Sequence, residues 1–149
     1  MMIFPFCLRQ IHFNLRMDIN ELTGIVVDVC IQIHKMLGPG CVEKVYEEYA
    51  YQMLEERGVR VRQQVVVPMM LGGVRLKKAC KLDLIAEDKL VIEIKTLWRV
   101  PQVAFDQVRT YLTLLNLKHG MLLNFKVPLM KHGIHRVFNN SGRESLLDP

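Results

Sequence analysis

The chain has 149 residues, half of them hydrophobic and 23% charged, which predicts one globular domain with a real core. No apolar run approaches the roughly 18 residues a membrane span needs, so no membrane partner is expected. The formal net charge of +5 and the pI of about 9.1 favour a polyanionic partner such as nucleic acid, although many ordinary small proteins are this basic.

Residues 1–16 are apolar and broken early by Pro5. No basic stretch precedes the apolar run and no small-residue cleavage site follows it, which argues against a signal peptide. This segment reads as an extension outside the fold, with Met17 as the functional start. The four cysteines are Cys7, Cys30, Cys41 and Cys80, with no Cys-x-x-Cys pair, which predicts a reduced, cytoplasmic chain. Zinc is not expected, because His132 and His135 have Gly133 between them and no cysteine nearby.

Asp18 followed by Glu21 suggests a capping box for a first helix. Leu22, Ile25, Val26, Val29, Ile33 and Met36 or Leu37 then recur at helical spacing until Gly38-Pro39 stops them. A second helix runs from about Val42 to Arg57, with Val45, Tyr46, Tyr49, Ala50, Met53 and Leu54 as its apolar side. The period then changes. Val59 to Leu71 reads as one strand, Gly72-Gly73 as a turn, Val74 to Ala86 as a second strand and Leu90 to Thr96 as a third. A third helix is predicted from Pro101 or Gln102 to Leu117. A short strand follows at Gly120 to Phe125, and one more is expected around Gly133 to Phe138. The end, 139–149, reads as a flexible tail. The order ααβββαβ with strands lacking polar alternation predicts a single α/β domain over 17–138, a mixed sheet covered by helices.

The chemistry concentrates in Lys81-Leu-Asp83-Leu-Ile-Ala-Glu-Asp-Lys-Leu-Val-Ile-Glu93-Ile-Lys95. Charges inside buried strands cost several kcal/mol unless paired. Glu93 and Lys95 share a strand face. Asp83 meets them only if the loop at Glu87 to Lys89 has an odd length or the strand a bulge, so that Ala86 pairs with Leu90 and Asp83 stands opposite Glu93. Two such carboxylates repel unless a cation or proton lies between them. Oxygen ligands of this kind suit Mg²⁺ or Mn²⁺, with the Ile94 backbone carbonyl as a further ligand. Lys95 would orient or help deprotonate an attacking water. The competing explanation is a salt-bridged, exposed strand face. Glu43, in the first turn of the second helix, points to its core side, where it could equally serve the helix dipole. Gln107 and Tyr111 project together at i, i+4.

Several of these residues fall in motifs. Gly40-Cys-Val-Glu43-Lys-Val-Tyr46 is the Gly-x-x-Glu-x-x-Tyr signature, and Asp83, Glu93-Ile-Lys95, Gln107-x-x-x-Tyr111 and Leu123-Asn-Phe125 follow in order. Together they resemble the GxxExxY protein family of the PD-(D/E)XK nuclease superfamily, and the Gln-x-x-x-Tyr pair resembles its RecB-like branch. The resemblance spans about Met17 to Phe138. It implies a restriction-endonuclease-like core and Mg²⁺-dependent phosphodiester hydrolysis. Glu43 would be the helix acid, Asp83 and Glu93 metal ligands, Lys95 the catalytic lysine, and Gln107 and Tyr111 a supporting or substrate-binding pair. An arginine expected two residues before the aspartate is replaced by Lys81, which keeps the charge but loses a bidentate fork.

The expected activity is therefore that of a DNA nuclease in repair, recombination or defence. The rivals are a catalytically silent nucleic-acid-binding module of the same fold and a protein-interaction subunit. Lys77, Lys78, Lys81, Arg99 and Arg109 are the candidate phosphate contacts. Chains this small often dimerise to grip a duplex, so a homodimer is one expected assembly.

Overall fold

The computed structural model describes residues 17–76 and 80–140. Two helices, α1 (Ile19–Leu37) and α2 (Glu43–Glu56), precede strand β1 (Val61–Val67), the short pair β2 (Met70–Leu71) and β3 (Val74–Arg75), and strands β4 (Cys80–Ala86) and β5 (Leu90–Lys95). Helix α3 (Gln102–Leu114) crosses to β6 (His119–Asn124), and a 3₁₀ turn (Met130–His132) leads into β7 (Ile134–Phe138). The main sheet has the order β1-β4-β5-β6-β7. Only β5 and β6 run parallel; every other neighbouring pair is antiparallel, which makes the sheet mixed. Among the described residues, no helix is long and apolar enough to cross a membrane.

The expected strand order is refined in one place. The first two predicted strands are each broken, and their inner ends form the separate β2–β3 ribbon around Gly72-Gly73. Pro68, just past the end of β1, has no N–H to give to a ladder. The capping box is not made: Asp18 occupies the N-cap position with no side-chain cap hydrogen bond. The helix stop is as expected, with Gly38 at φ +64, a conformation glycine adopts without penalty.

Helices α1 and α2 cover one sheet face. Leu22, Val26, Val29 and Ile33 pack there against Leu84, Ile92, Ile94 and Met121. Helix α3 covers the other, where Val108 and Leu112 meet Leu82, Val91 and Leu122. Covering both faces explains why β5 and β6 lack polar alternation.

Alternation fails at one point, and the site is built there. In a regular strand Leu82 and Leu84 would share a face. Here Leu84 lies in the α1–α2 layer and Leu82 in the α3 layer. The partner strand does the same, with Val61 in the first layer and Val65 and Val67 in the second. The β1–β4 register holds on both sides but skips Gln64 opposite Asp83, and Gln64 has φ +51. Both strands thus change face at matching positions.

The Tyr of the Gly-x-x-Glu-x-x-Tyr motif is a clasp. Tyr46 is fully buried and stacks on Phe125 at 4.2 Å. Its hydroxyl accepts the Cys41 N–H at 3.0 Å and donates to the Gly38 carbonyl, closing the α1–α2 connection. Tyr46→Phe keeps the stacking but strands both backbone groups, at a cost of about 1–3 kcal/mol. Thermal denaturation is expected to show a midpoint lower by roughly 3–10 °C; an unchanged midpoint would remove the clasp from the account.

Candidate active site

The β4–β5 hairpin has the register the site requires. Ala86 pairs with Leu90, and Glu87, Asp88 and Lys89 form a three-residue loop. Glu87 and Asp88 both have positive φ, and Arg60, just before β1, pins the loop. The Arg60 N–H donates to Glu87 Oε1 at 2.6 Å, and the Glu87 N–H returns a bond to the Arg60 carbonyl at 2.8 Å. Continuing the register sets Asp83 opposite Glu93, although the regular ladder ends at Leu84 and Ile92. There the Asp83 carboxylate takes over: Oδ2 accepts the Ile94 N–H at 2.8 Å, a bond given elsewhere in the sheet to a carbonyl.

Glu93 is 3% exposed. Its Oε1 accepts a hydrogen bond from Lys95 Nζ at 2.9 Å, while Oε2 is buried with no partner among the described residues. Lys95 Nζ also donates to Gln107 Oε1 at 3.2 Å. Gln107 Nε2 donates to the Tyr111 hydroxyl at 2.9 Å, which donates to the Lys81 carbonyl at 2.8 Å. The chain of bonds has one polarity, so the Gln107–Tyr111 pair holds the ammonium of Lys95 against Glu93.

On the other side of β5, Glu43 Oε2 accepts the Thr96 N–H at 3.2 Å. Glu43, Lys95 and Gln107 line one open cleft with Leu97 and Val103.

Burial and charge set the protonation states. Burial, followed by the field of Glu93, pushes the Asp83 carboxyl up to about 7. Burial also raises Glu93, opposed by the hydrogen bond from Lys95. Burial pulls the Lys95 ammonium down, but the Glu93 hydrogen bond and the carboxylates around it leave it raised. Lys95 is therefore a fixed cation in this state, suited to orienting water and balancing charge rather than to taking a proton. Burial and the Glu93 charge raise Tyr111 to about 12, so its hydroxyl stays a donor.

One acid escaped the sequence analysis. Glu47 is 6% exposed, and its Oε1 accepts from Gln63 Nε2 at 2.9 Å and Gln64 Nε2 at 2.8 Å. Its charge also acts to raise Asp83. Both glutamine amides reach it because β1 changes face between them. The signal was the spacing of Glu43, Glu47, Ala50 and Leu54, one inner stripe of α2.

The structure therefore brings together Glu43, Asp83, Glu93, Lys95, Gln107 and Tyr111, with Ile94 contributing its N–H to Asp83. The basic residues divide. Lys77 and Lys78 lie outside the described residues. Lys81 is exposed on β4, and Arg99 is exposed just beyond β5. Arg109 is not brought to the site: it lies about half a helical turn from Gln107 and Tyr111 and is paired with Asp106 at 2.9 Å. Two residues on is the opposite side of a helix, so Arg109 does not share the face that Gln107 and Tyr111 present to the site.

Among the described residues, no three His, Cys, Asp or Glu side chains stand close enough to form a ready-made metal cage. The donor set nevertheless fits a hard divalent cation. A buried carboxylate and a half-buried one, both with raised pKa values, gain from added positive charge, and Glu93 Oε2 lacks a partner among the described residues. Mg²⁺ keeps several of its waters and needs only one or two protein carboxylates.

A five-stranded mixed sheet with an Asp on one strand and a Glu-x-Lys on the next defines an α/β domain with a restriction-endonuclease-like fold. A family model described as PD-(D/E)XK nuclease superfamily matches residues 20–137, and the chain belongs to that superfamily. Neither a curated protein nor a solved structure matches it.

The raised Asp83 carboxyl makes a signed prediction for the metal-free protein. The folded state holds this proton more tightly than the unfolded chain, so the group adds a growing penalty as pH rises from about 4 to about 7. Asp83→Asn keeps an acceptor for the Ile94 N–H and removes the charge. In chelator, its urea midpoint is expected to exceed the wild type's most at about pH 7–8 and to converge with it only as pH falls to about 4 or below. A pH-independent difference would contradict the assignment.

Proposed function

We propose that this protein is a cytoplasmic, Mg²⁺- or Mn²⁺-dependent nuclease that hydrolyses phosphodiester bonds in DNA, in a repair, recombination or defence context. The observation that carries the reading is the buried, unpartnered Glu93 Oε2 beside Asp83, with Lys95 fixed between Glu93 and Gln107. Asp83 and Glu93 would hold the cation, with the Ile94 carbonyl as a further ligand and Glu43 at the cleft side. When bound, the cation supplies Lewis acidity and charge neutralisation for phosphodiester hydrolysis.

The chain's own residues divide the remaining work. Lys95, an ammonium in the metal-free site, orients water and offsets charge that builds on the phosphate oxygens. Gln107 and Tyr111 keep Lys95 in place through their bonds to its Nζ and to the Lys81 carbonyl. Glu43 ties the start of α2 to the Thr96 backbone at the end of β5. Lys81 and Arg99 supply exposed positive charge near the cleft for the DNA backbone. The Gly-x-x-Glu-x-x-Tyr motif and the Gln-x-x-x-Tyr pair support placement in the GxxExxY family and near the RecB-like branch.

The test is cleavage of a panel of single- and double-stranded DNA and RNA substrates with Mg²⁺ or Mn²⁺. Asp83→Ala and Lys95→Ala are expected to lose activity by at least about a hundredfold, while circular dichroism shows both folded. Equal cleavage by wild type and both variants, from one clean preparation, would contradict the proposal.

A further inference from the structure

The chain's single tryptophan, Trp98, directly follows a residue that lines the cleft, Leu97, and is 86% exposed. An exposed indole gives up a large burial gain, so its position needs a reason. It is not on a loose loop. Asn124 is buried, and its Oδ1 accepts the Leu97 N–H at 3.0 Å and the Lys126 N–H at 3.3 Å. Its Nδ2 donates to the Leu97 carbonyl at 2.8 Å. One side chain thus fixes the backbone of Leu97, just before the tryptophan, and of Lys126, whose ammonium lies over its ring. Asn124 is itself held by its N–H bond to the Gly133 carbonyl at 2.8 Å. At Gly133 a Cβ would lie 1.9 Å from the Asn124 oxygen, so the close approach requires glycine.

The surroundings are basic and partly apolar. Lys126 Nζ lies 4.4 Å from the centre of the Trp98 ring, and Arg99 is the next residue. Leu97, the residue before, lines the cleft with Lys95 and Glu43. Val103, on the same cleft, is 70% exposed. Flat aromatic surface flanked by cations suits neither a lipid nor an acidic peptide as well as it suits a nucleic-acid strand, whose bases stack while its phosphates pair with the cations. Bases within an intact duplex are already stacked and cannot use such a platform.

We propose that Trp98 is a stacking platform for an unpaired base of a DNA strand whose backbone is carried by Lys126 and Arg99 into the cleft. This rests on the nuclease reading and narrows its substrate class to single-stranded or frayed DNA. Trp98 would act as a binding and specificity residue, not in the chemistry.

With only one tryptophan in the chain, its emission reports this residue directly. A single-stranded oligonucleotide added to the full chain in chelator is expected to quench that emission saturably. A closed duplex of two fully complementary strands with G·C-clamped blunt ends is expected to leave it nearly unchanged. By fluorescence anisotropy with a labelled oligonucleotide, Trp98→Ala is expected to weaken binding by roughly five- to a hundredfold, while Trp98→Phe retains most of it. Binding of the oligonucleotide with unchanged emission and equal affinity for Trp98→Ala would overturn the proposal, as would equal quenching by the closed duplex. A Trp98→Ala chain that differs only in self-association would assign the surface to a second copy and overturn it too. Metal-dependent cleavage by wild type with a silent Trp98 would sink this inference alone. Absence of both cleavage and binding would sink the nuclease reading with it.

Discussion

A carboxylate that takes the place of a backbone acceptor organises this molecule. Asp83 accepts the Ile94 N–H from within the sheet, at the point where the β4–β5 ladder ends and the β1–β4 ladder skips a pair. A regular strand would have sent the Asp83 side chain squarely into one layer. Because both β1 and β4 change face here, the carboxylate turns toward β5 and meets Glu93. The irregularity leaves Gln64 in the left-handed region, and the hydrogen bonds from Gln63 and Gln64 to Glu47 help to hold it.

The same arrangement makes the metal-free site electrostatically unfavourable. Asp83, Glu93 and Glu43 act on Lys95, a single cation, and Glu47 adds its charge at Asp83. Burial removes the water that would otherwise screen the carboxylates, so Asp83 responds by holding a proton to about pH 7. Structural ion pairs alone would not call for this excess of negative charge. A site built to receive a divalent cation would, and the unpartnered Glu93 oxygen is the place where such a cation would gain most.

Much of this was legible in the sequence because it rests on periodicity and on rare residues in buried strands. The odd hairpin loop followed from requiring Asp83 and Glu93 to share a face, and the structure has Ala86 opposite Leu90. The apolar stripes of α1 and α2 and the mixed sheet follow from burial on both faces. What was hidden depends on departures from regularity. The face change at Gln64 and Asp83 leaves no composition signal, because valine and leucine serve either layer. Glu47 was overlooked because it stands in a run of charged residues that reads as a solvated helix face, although its spacing from Ala50 and Leu54 placed it inside. Arg109 looked like a phosphate contact by charge alone, yet helical geometry turns it away from Gln107 and Tyr111. Pro68 was the visible mark of the broken first strand, whose end the valine run concealed.

The account stands on a claim about Asp83 and Glu93: that they are held together for a divalent cation. Calorimetric titration of the chain with Mn²⁺ near pH 7, in two buffers of different ionisation enthalpy, tests it most directly. The account predicts saturable binding that releases a fraction of a proton, drawn from Asp83, with affinity lost in Glu93→Gln and proton release lost in Asp83→Asn. Binding unaffected by either substitution, or no binding at all to the folded chain, would contradict it.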